Sequence, residues 1–253
     1  MSGESPRPVE ELATRADEIM AAASQAAAPL RLMGGVAIRL RATDLGGIGP
    51  ERRQYHDIDF VGRLRDVRRL DAAITGLGYQ PDRVVNAQFG TARRVYYHPD
   101  NFHVDLFFER LEFCHTIELD GRLELVARTT SPTDLLLQKL QIVERNEKDL
   151  IDVYWLLLNH ELSHSDPAQL ELDYLTRLMS ADWGLHTTAT DFLKQAREHL
   201  WLVGVSSSAG ARLEQRLDQL LATLAEAPKS MRWRVRERIG RRLRWYRIVE
   251  EVL

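Results

Sequence analysis

Apolar positions follow different periods in the two halves of the chain. Up to about residue 128, stretches with helical spacing are interspersed with short stretches that alternate apolar and polar residues as strands do. From Ser131 onward the spacing is helical, with one serine- and glycine-containing break at 205–210. The pattern predicts an α+β fold in two parts: an α+β domain at 1–128 and an all-helical domain at 129–253.

Glycine and proline residues divide the first half into separate elements. Helical spacing with an alanine-rich end before Pro29 predicts a first helix over 8–27, and two further helices are predicted at Val36–Arg41 and Val67–Leu77. The predicted strands share short apolar or alternating runs, and they are Leu30–Met33, Asp57–Gly62, Tyr79–Val85, Ala92–His98 and Phe102–Phe108, with a hairpin across Ile117–Ala127.

Composition and charge exclude several classes of protein. With 253 residues, 44% of them hydrophobic and 28% charged, the chain is typical of a globular protein. Its single cysteine, Cys114, can form neither an internal disulfide nor a structural zinc site. No apolar run approaches the roughly 18–20 residues of a membrane helix, and an N-terminus with Glu4, Glu10 and Glu11 does not resemble a signal peptide. We therefore expect a soluble cytoplasmic protein with no membrane partner.

A double glycine joins a predicted strand to a predicted helix in Leu32-Met33-Gly34-Gly35-Val36-Ala37. Glycines at such a junction allow backbone N–H groups and a helix N-terminus to approach a phosphate closely. Double glycines also occur in turns that bind nothing, so the pattern alone leaves both interpretations open.

Asp57 and Asp59 lie two residues apart in one predicted strand. Their carboxylates therefore project from one face, while Ile58 and Phe60 project into the core. Two adjacent carboxylates repel each other unless a cation or water separates them, and carboxylate oxygens at this spacing suit Mg²⁺. The alternative is a solvated face of an edge strand.

Asp105 lies in a strand whose core-facing positions are all apolar: Phe102, Val104, Leu106 and Phe108. A carboxylate in such surroundings normally has a partner. It could complete a two-metal site, accept a proton from an attacking hydroxyl group, or form a structural salt bridge with an arginine.

The order of these motifs resembles the nucleotidyltransferase superfamily of DNA polymerase β over about residues 30–110: a double glycine, an Asp-x-Asp strand, then a strand with a third aspartate. The resemblance implies a mixed-sheet nucleotidyltransferase core in which Gly34 and Gly35 hold a nucleoside triphosphate (NTP). It also implies that the three aspartates are catalytic and bind two Mg²⁺ ions. The chain departs from the superfamily at Val36, where serine or threonine is common.

Local sequences are similar to particular branches of that superfamily. His56-Asp57-Ile58-Asp59-Phe60-Val61, together with Gly34-Gly35-Val36-Ala37 upstream, resembles the aminoglycoside and lincosamide nucleotidyltransferases. The same two segments also resemble the AbiEii-type abortive-infection toxins. We expect His56 and His103, which flank the carboxylate strands, to form structural hydrogen bonds, because neither has the spacing of a metal ligand.

The second half adds to the resemblance to the toxins. A helix that begins at Ser131 carries Lys139 within its apolar stripe, and the segment Lys148-Asp149-Leu150-Ile151-Asp152 follows. The resemblance to AbiEii-like toxins implies that Lys139 contacts the nucleotide phosphates and that Asp149 supports activity. The alternatives are that Lys139 extends to solvent and that Asp149 only stabilises a helix N-terminus.

These motifs predict transfer of a nucleoside monophosphate (NMP) from an NTP to an acceptor hydroxyl group, with release of pyrophosphate. Three hypotheses follow for the role of the protein: a toxin-like enzyme that modifies RNA, a small-molecule transferase of the aminoglycoside or lincosamide type, and a catalytically silent nucleotide-binding module. The resemblance to toxins also allows an antitoxin protein as a partner.

Residues 228–247, which we call the basic segment, carry nine basic side chains and one acid, Glu237, and thus a net charge of +8. Because the whole chain has a net charge of −3, the remainder carries −11. Such segregation is typical of proteins that bind a phosphate backbone, and Trp233, Trp245 and Tyr246 could stack on bases. The alternative is a terminal helix whose arginines pair with the acidic body while its aromatic residues pack as core.

Overall fold

A mixed five-stranded sheet forms the first part of the molecule in the computed structural model, which describes residues 6–249. The strands, in the spatial order β1-β2-β5-β4-β3, are β1 (Arg31–Met33), β2 (Asp57–Gly62), β3 (Gln80–Pro81), β4 (Arg93–His98) and β5 (Phe102–Phe108). Strands β2 and β5 are parallel, and the other neighbouring pairs are antiparallel. The predicted α+β class with a mixed sheet is confirmed.

Four helices accompany this sheet, and the later part of the chain is mostly helical. The first four are α1 (Val9–Gln25), α2 (Gly34–Arg41), α3 (Val67–Gly76) and α4 (Arg83–Phe89). The later ones are α5 (Pro132–Leu140), α6 (Glu147–Asn159), α7 (Leu172–Ala181), α8 (Trp183–His199), α9 (Ser207–Glu226) and α10 (Met231–Ile239). None of the helices within residues 6–249 has both the length and the apolar composition needed to cross a membrane.

Two short strand pairs lie outside the central sheet. Strands β6 (Arg110–Glu112) and β7 (Thr116–Glu118) form an antiparallel hairpin, and β8 (Leu162–Ser163) pairs with β9 (Leu170–Glu171) in parallel. The hairpin predicted across Ile117–Ala127 is therefore wrong in position, because the turn falls at 113–115 and residues 119–127 form irregular turns.

The prediction of a strand over Tyr79–Val85 is also wrong. Only Gln80–Pro81 pairs with β4, and α4 begins immediately afterwards. The side chain of Asp82 accepts hydrogen bonds from the N–H groups of Val84 and Val85, which is the geometry of an N-cap. This local bond outweighs the strand preference of two consecutive valines.

Alternation along β2 and β5 determines which face of the sheet is covered. Ile58 and Phe60 are fully buried on one side of β2, whereas Asp57 and Asp59 lie on the other and are only partly buried. Strand β5 buries its apolar residues on the same side as β2 does, as the sequence predicts. The sheet therefore presents its carboxylates on the face opposite this core.

Helices α5 and α6 pack closely against each other and against α2. Every residue of α5 is buried, and so is α6 from Asp149 to Leu158, so both helices are internal rather than amphipathic surface elements. The side chains of Ser131 and Asn146 cap their N-termini. The buried core is continuous from the sheet into these helices, and the division into domains at residue 128 stays a prediction.

Candidate active site

The parallel pairing of β2 with β5 places four polar residues in a rectangle. Asp57 lies opposite His103 and Asp59 lies opposite Asp105 in the register. Because side chains alternate along a strand, residues two apart share a face, and register partners in neighbouring strands do so as well. The structure thus brings together Asp57, Asp59 and Asp105, and it adds His103 to them.

Three of these residues are spaced as ligands of a single ion. Asp57, His103 and Asp105 each offer one ligand atom, and these atoms all lie within 4.8 Å of one another. Nε2 of His103 is 3.7 Å from Oδ2 of Asp105. Sequence analysis missed His103 because its spacing along the chain matches no metal motif, and its proximity to Asp57 arises only from strand pairing.

Arg93 of β4 binds Asp105 from the neighbouring strand. Its Nε donates to Oδ1 at 3.1 Å and its Nη2 donates to Oδ2 at 2.7 Å, so the contact is bidentate. The salt bridge predicted as an alternative role for Asp105 is therefore present, although Asp105 also lies beside Asp57 and Asp59. An ionised carboxylate accepts about four hydrogen bonds, so Asp105 retains acceptor capacity beside this arginine.

The environment of Asp59 disfavours its charged form. Burial, followed by repulsion from Asp57 and then from Asp105, raises the pKa of Asp59 well above its usual value. The positive charge of Lys139 and, less strongly, His103 oppose this rise in pKa. An added cation at this face would therefore relieve a repulsion that the protein residues leave in place.

The Gly34-Gly35 turn leads from β1 into α2 directly beside Asp59. Met33 is the register partner of Asp59 in the antiparallel β1–β2 pair. Gly34 has φ +68°, which favours glycine, and a Cβ there would overlap the Asp59 carboxylate. A Cβ on Gly35 would overlap the guanidinium of Arg53. A side chain at either position would therefore have to displace a charged group.

Lys139 and Asp149 meet in a buried cluster next to this turn. Nζ of Lys139 lies 3.0 Å from Oδ1 of Asp149 and 2.8 Å from Oδ2 of Asp152. Arg53 binds the other side of Asp152 through Nε at 2.9 Å and Nη2 at 3.2 Å. Two cations and two anions therefore neutralise each other, and Lys139 does not extend into solvent.

Asp149 also has the capping role that the sequence offered as its alternative. Its Oδ2 accepts from the N–H of Asn146, whose own side chain caps the start of α6. Asp152 belongs to the same predicted motif, which by itself indicates no role for it. Arg53 carried no sequence signal, because an arginine in a loop is common.

Gln138 of α5 touches the glycine turn itself. The N–H of Gly34 donates to its Oε1 at 3.3 Å. Gln138, next to Lys139 in the sequence, thus binds the backbone of the turn, while Lys139 itself pairs with carboxylates of α6.

The basic segment lies on α7 and α8, and its charged and aromatic residues behave differently. Five of its arginines are exposed and form no ion pair with any residue in the described range: Arg232, Arg234, Arg238, Arg242 and Arg244. Arg241 pairs with Asp191 at 2.8 Å. Trp233 is buried, and Trp245 donates to Oγ1 of Thr188 at 3.0 Å. Trp233 therefore packs inward as the alternative predicts, whereas Trp245 and Tyr246 are half-buried, and most of the arginines remain available.

No family model matches the chain, and no curated protein matches it. Among solved structures, it is similar to the antibiotic-resistance factor ANT(2'')-Ia, with 17% identity, a TM-score of 0.43, and coverage of 68% of this chain and 95% of that one. It is similar to the lincosamide antibiotic adenylyltransferase LnuA with lincomycin bound, with 14% identity, a TM-score of 0.39, and coverage of 60% and 98%. A third is an antigenic nucleotidyltransferase-like protein from Paracoccidioides brasiliensis, with 15% identity, a TM-score of 0.44, and coverage of 89% and 97%.

Proposed function

We propose that the chain is a metal-dependent nucleotidyltransferase that moves an NMP from an NTP to an acceptor hydroxyl group. The observation that carries the proposal is the rectangle of Asp57, Asp59, Asp105 and His103 beside the Gly34 turn. A glycine turn at a helix N-terminus suits a phosphate chain, and carboxylates that repel one another suit the cations that accompany such a chain.

The residues present fit a divalent cation. Asp57, His103 and Asp105 are close enough to share one ion, and Asp59 adds a carboxylate whose ionised form needs a cation to stabilise it. When bound, Mg²⁺ would neutralise charge on the phosphate oxygens. We retain Asp57, Asp59 and Asp105 as the proposed catalytic and metal-binding residues and add His103 to the metal-binding set.

In the proposed reaction, the acceptor oxygen forms a bond to the α-phosphorus while the bond to the pyrophosphate oxygen breaks. Asp105 accepts the proton of the attacking hydroxyl group, using acceptor capacity that Arg93 leaves free. The first N–H groups of α2, at Gly34 and Gly35, face the phosphate chain.

Lys139 and Asp149 are proposed to act at this site as a pair. The charge of Lys139 favours the ionised form of Asp59, so the lysine contributes to the potential at the phosphate site even though Asp149 and Asp152 neutralise it locally. Asp149 holds the amine in place through its 3.0 Å contact.

We propose RNA as the acceptor. Five exposed arginines of the basic segment have no acidic partner within the described residues, and a polyanion supplies such partners. Because Trp233 is buried and the indole N–H of Trp245 is bound to Thr188, the proposed contacts are to the phosphate backbone rather than to stacked bases.

Incubation with Mg²⁺, each α-labelled NTP, and either total tRNA or a panel of aminoglycosides tests the proposal. Transfer of label to RNA by the wild type, but not by Asp59→Asn, is the expected result. Transfer to aminoglycosides alone would move the assignment to the small-molecule class. Nucleotide binding without transfer to any acceptor would identify a silent binding module.

A further inference from the structure

Gln138 carries a side-chain donor for which the described residues provide no acceptor. The residue is 6% exposed, and its Nε2 forms no hydrogen bond within residues 6–249. A buried donor without a partner costs on the order of 1–3 kcal/mol, so such groups in a folded protein require an explanation. At this position a ligand would supply the missing acceptor.

The other end of the same carboxamide is fixed. Oε1 accepts the N–H of Gly34, the first residue of α2. The orientation of the amide is thereby set, because the end that accepts a backbone N–H must be the oxygen. The free Nε2 therefore lies at the N-terminus of α2, where the helix dipole favours negative charge.

The cations nearest to this turn already have partners. Lys139 is bound by Asp149 and Asp152, and Arg53 is bound by Asp152. An anion at the turn would break buried ion pairs to reach either cation directly. The Gln138 amide is the side-chain donor at the turn that requires no such exchange.

We propose that Nε2 of Gln138 donates a hydrogen bond to a phosphate oxygen of the NTP. This inference rests on the proposed function and assigns a binding residue for the same site. Oε1 holds the Gly34 turn while Nε2 contacts the phosphate chain, so one side chain couples the shape of the turn to the presence of nucleotide.

Two substitutions separate the two ends of the carboxamide. Gln138→Glu keeps an oxygen that can accept from Gly34 and removes the donor, whereas Gln138→Met removes both without adding charge. Gln169→Glu is the matched control, because Oε1 of Gln169 also accepts a backbone N–H, from Glu161 at 2.7 Å, near the β8–β9 pair. The unfolding temperature without ligand reports the loss of the Gly34 bond separately.

Binding of ATP, inorganic triphosphate and adenosine to each purified variant, in the presence of Mg²⁺, provides the measurement. We expect both Gln138 variants to bind ATP and triphosphate about ten- to a hundredfold more weakly, as for the loss of one hydrogen bond to a charged group. Adenosine binding and the Gln169→Glu variant should match the wild type. The KM for NTP should rise with little change in kcat, because the contact exists before the reaction.

Several results would overturn the inference while leaving the proposed function intact. Wild-type affinity for ATP in Gln138→Met would mean that Nε2 contacts no ligand. A loss for ATP but not for triphosphate would place the contact at the nucleoside. Failure of the wild-type protein to bind any phosphate-containing probe would instead overturn the proposed function together with this inference.

Discussion

Asp59 and Asp105 are register partners in the one parallel strand pair of the central sheet within residues 6–249. The pairing places the two carboxylates side by side, although 46 positions separate them in the sequence. The antiparallel β1–β2 pair places Met33 on the other side of Asp59, so that the Gly34 turn begins beside the same carboxylate. The candidate site therefore depends on two strand pairings that fix three segments relative to one another.

Asp59→Asn should abolish NMP transfer and leave the fold intact. Removal of the charge deprives the site of a proposed metal ligand, and we expect a rate at least about a hundredfold lower. Because the pKa of Asp59 is raised by burial and by Asp57 and Asp105, the neutral amide should increase the free energy of unfolding at pH 7. Transfer assays with Mg²⁺ and urea unfolding in EDTA measure the two effects. Normal turnover in this variant would contradict the metal assignment.

Gly34→Ala should inactivate the protein at a modest cost in stability. Gly34 has φ +68°, so alanine costs about 1–2 kcal/mol, and its Cβ displaces the Asp59 carboxylate. Gly121→Ala is the matched control, because Gly121 has φ +71° and no neighbouring atom within 4 Å of its Cβ position. Both variants should unfold at lower urea concentrations, but only Gly34→Ala should lose transfer activity. Equal activity in the two would separate the turn from the site.

Lys139→Met should destabilise the protein by about 3–5 kcal/mol, because it leaves two buried carboxylates without their shared cation. The sequence predicts that the amine contacts nucleotide phosphates, and in the structure it is held in two buried ion pairs. The double variant Lys139→Met with Asp149→Asn should recover part of the loss. Lys148→Met, at an exposed position of α6, should change stability by less than about 0.5 kcal/mol. Denaturant titrations of the wild type and the three variants measure these free energies of unfolding. A loss below about 1 kcal/mol for Lys139→Met would argue against the ion pairs.

The strands that carry the aspartates could be predicted because their signals are local. The bounds of β2 and β5 agree with those predicted, since alternation and apolar runs depend on neighbouring residues alone. Pairing between distant strands has no local signal. For that reason the sequence predicts a structural role for His103, whereas the register places it opposite Asp57.

The second half shows the same limit in its polar residues. The position of Lys139 on an apolar stripe leaves two possibilities, extension to solvent or a nearby anion, and in the structure its anions are Asp149 and Asp152 of the next helix. Packing of α5 against α6 determines this choice, and periodicity within one helix does not report on it. The strand predicted over Val84 and Val85 is wrong for a different reason. The side chain of Asp82 caps these residues, and they form the first turn of α4 instead.

His160→Gln should remove part of the acid sensitivity of the fold. Burial, followed by the charge of Arg41, lowers the pKa of His160 to about 4. The unfolded state binds a proton below about pH 6.5, whereas the folded state does not, so stability is lost as the pH falls from about 6.5 towards 4. The loss at pH 4.5 amounts to about 2–3 kcal/mol. Urea unfolding at pH 7.5 and 4.5 should show a smaller difference in His160→Gln than in the wild type, and the exposed-site control His164→Gln should match the wild type.

Replacement of Arg238, Arg242 and Arg244 by glutamine should weaken RNA binding and reduce its dependence on salt. These side chains are exposed and have no acidic partner in the described part of the chain. Each phosphate contact with single-stranded RNA contributes about 0.7 to the slope of log K against log salt, so loss of three contacts makes the slope shallower by about 2. Anisotropy titrations of a labelled RNA oligonucleotide at several salt concentrations measure it.

Arg241→Gln is the control within the same segment. Arg241 already contacts both oxygens of Asp191 at 2.8 Å and lies 5.1 Å from the centre of the Trp245 ring. Because its charge is already paired within the protein, its loss should change the slope of log K against log salt by less than the loss of each arginine in the triple variant does. Because Trp233 and Trp245 are packed, poly(A) and poly(U) should bind with similar affinities. A strong preference between them would indicate base contacts that the packed tryptophans do not supply. Absence of any RNA binding by the wild type at low salt would leave the five arginines without a polyanion and would favour a small-molecule acceptor.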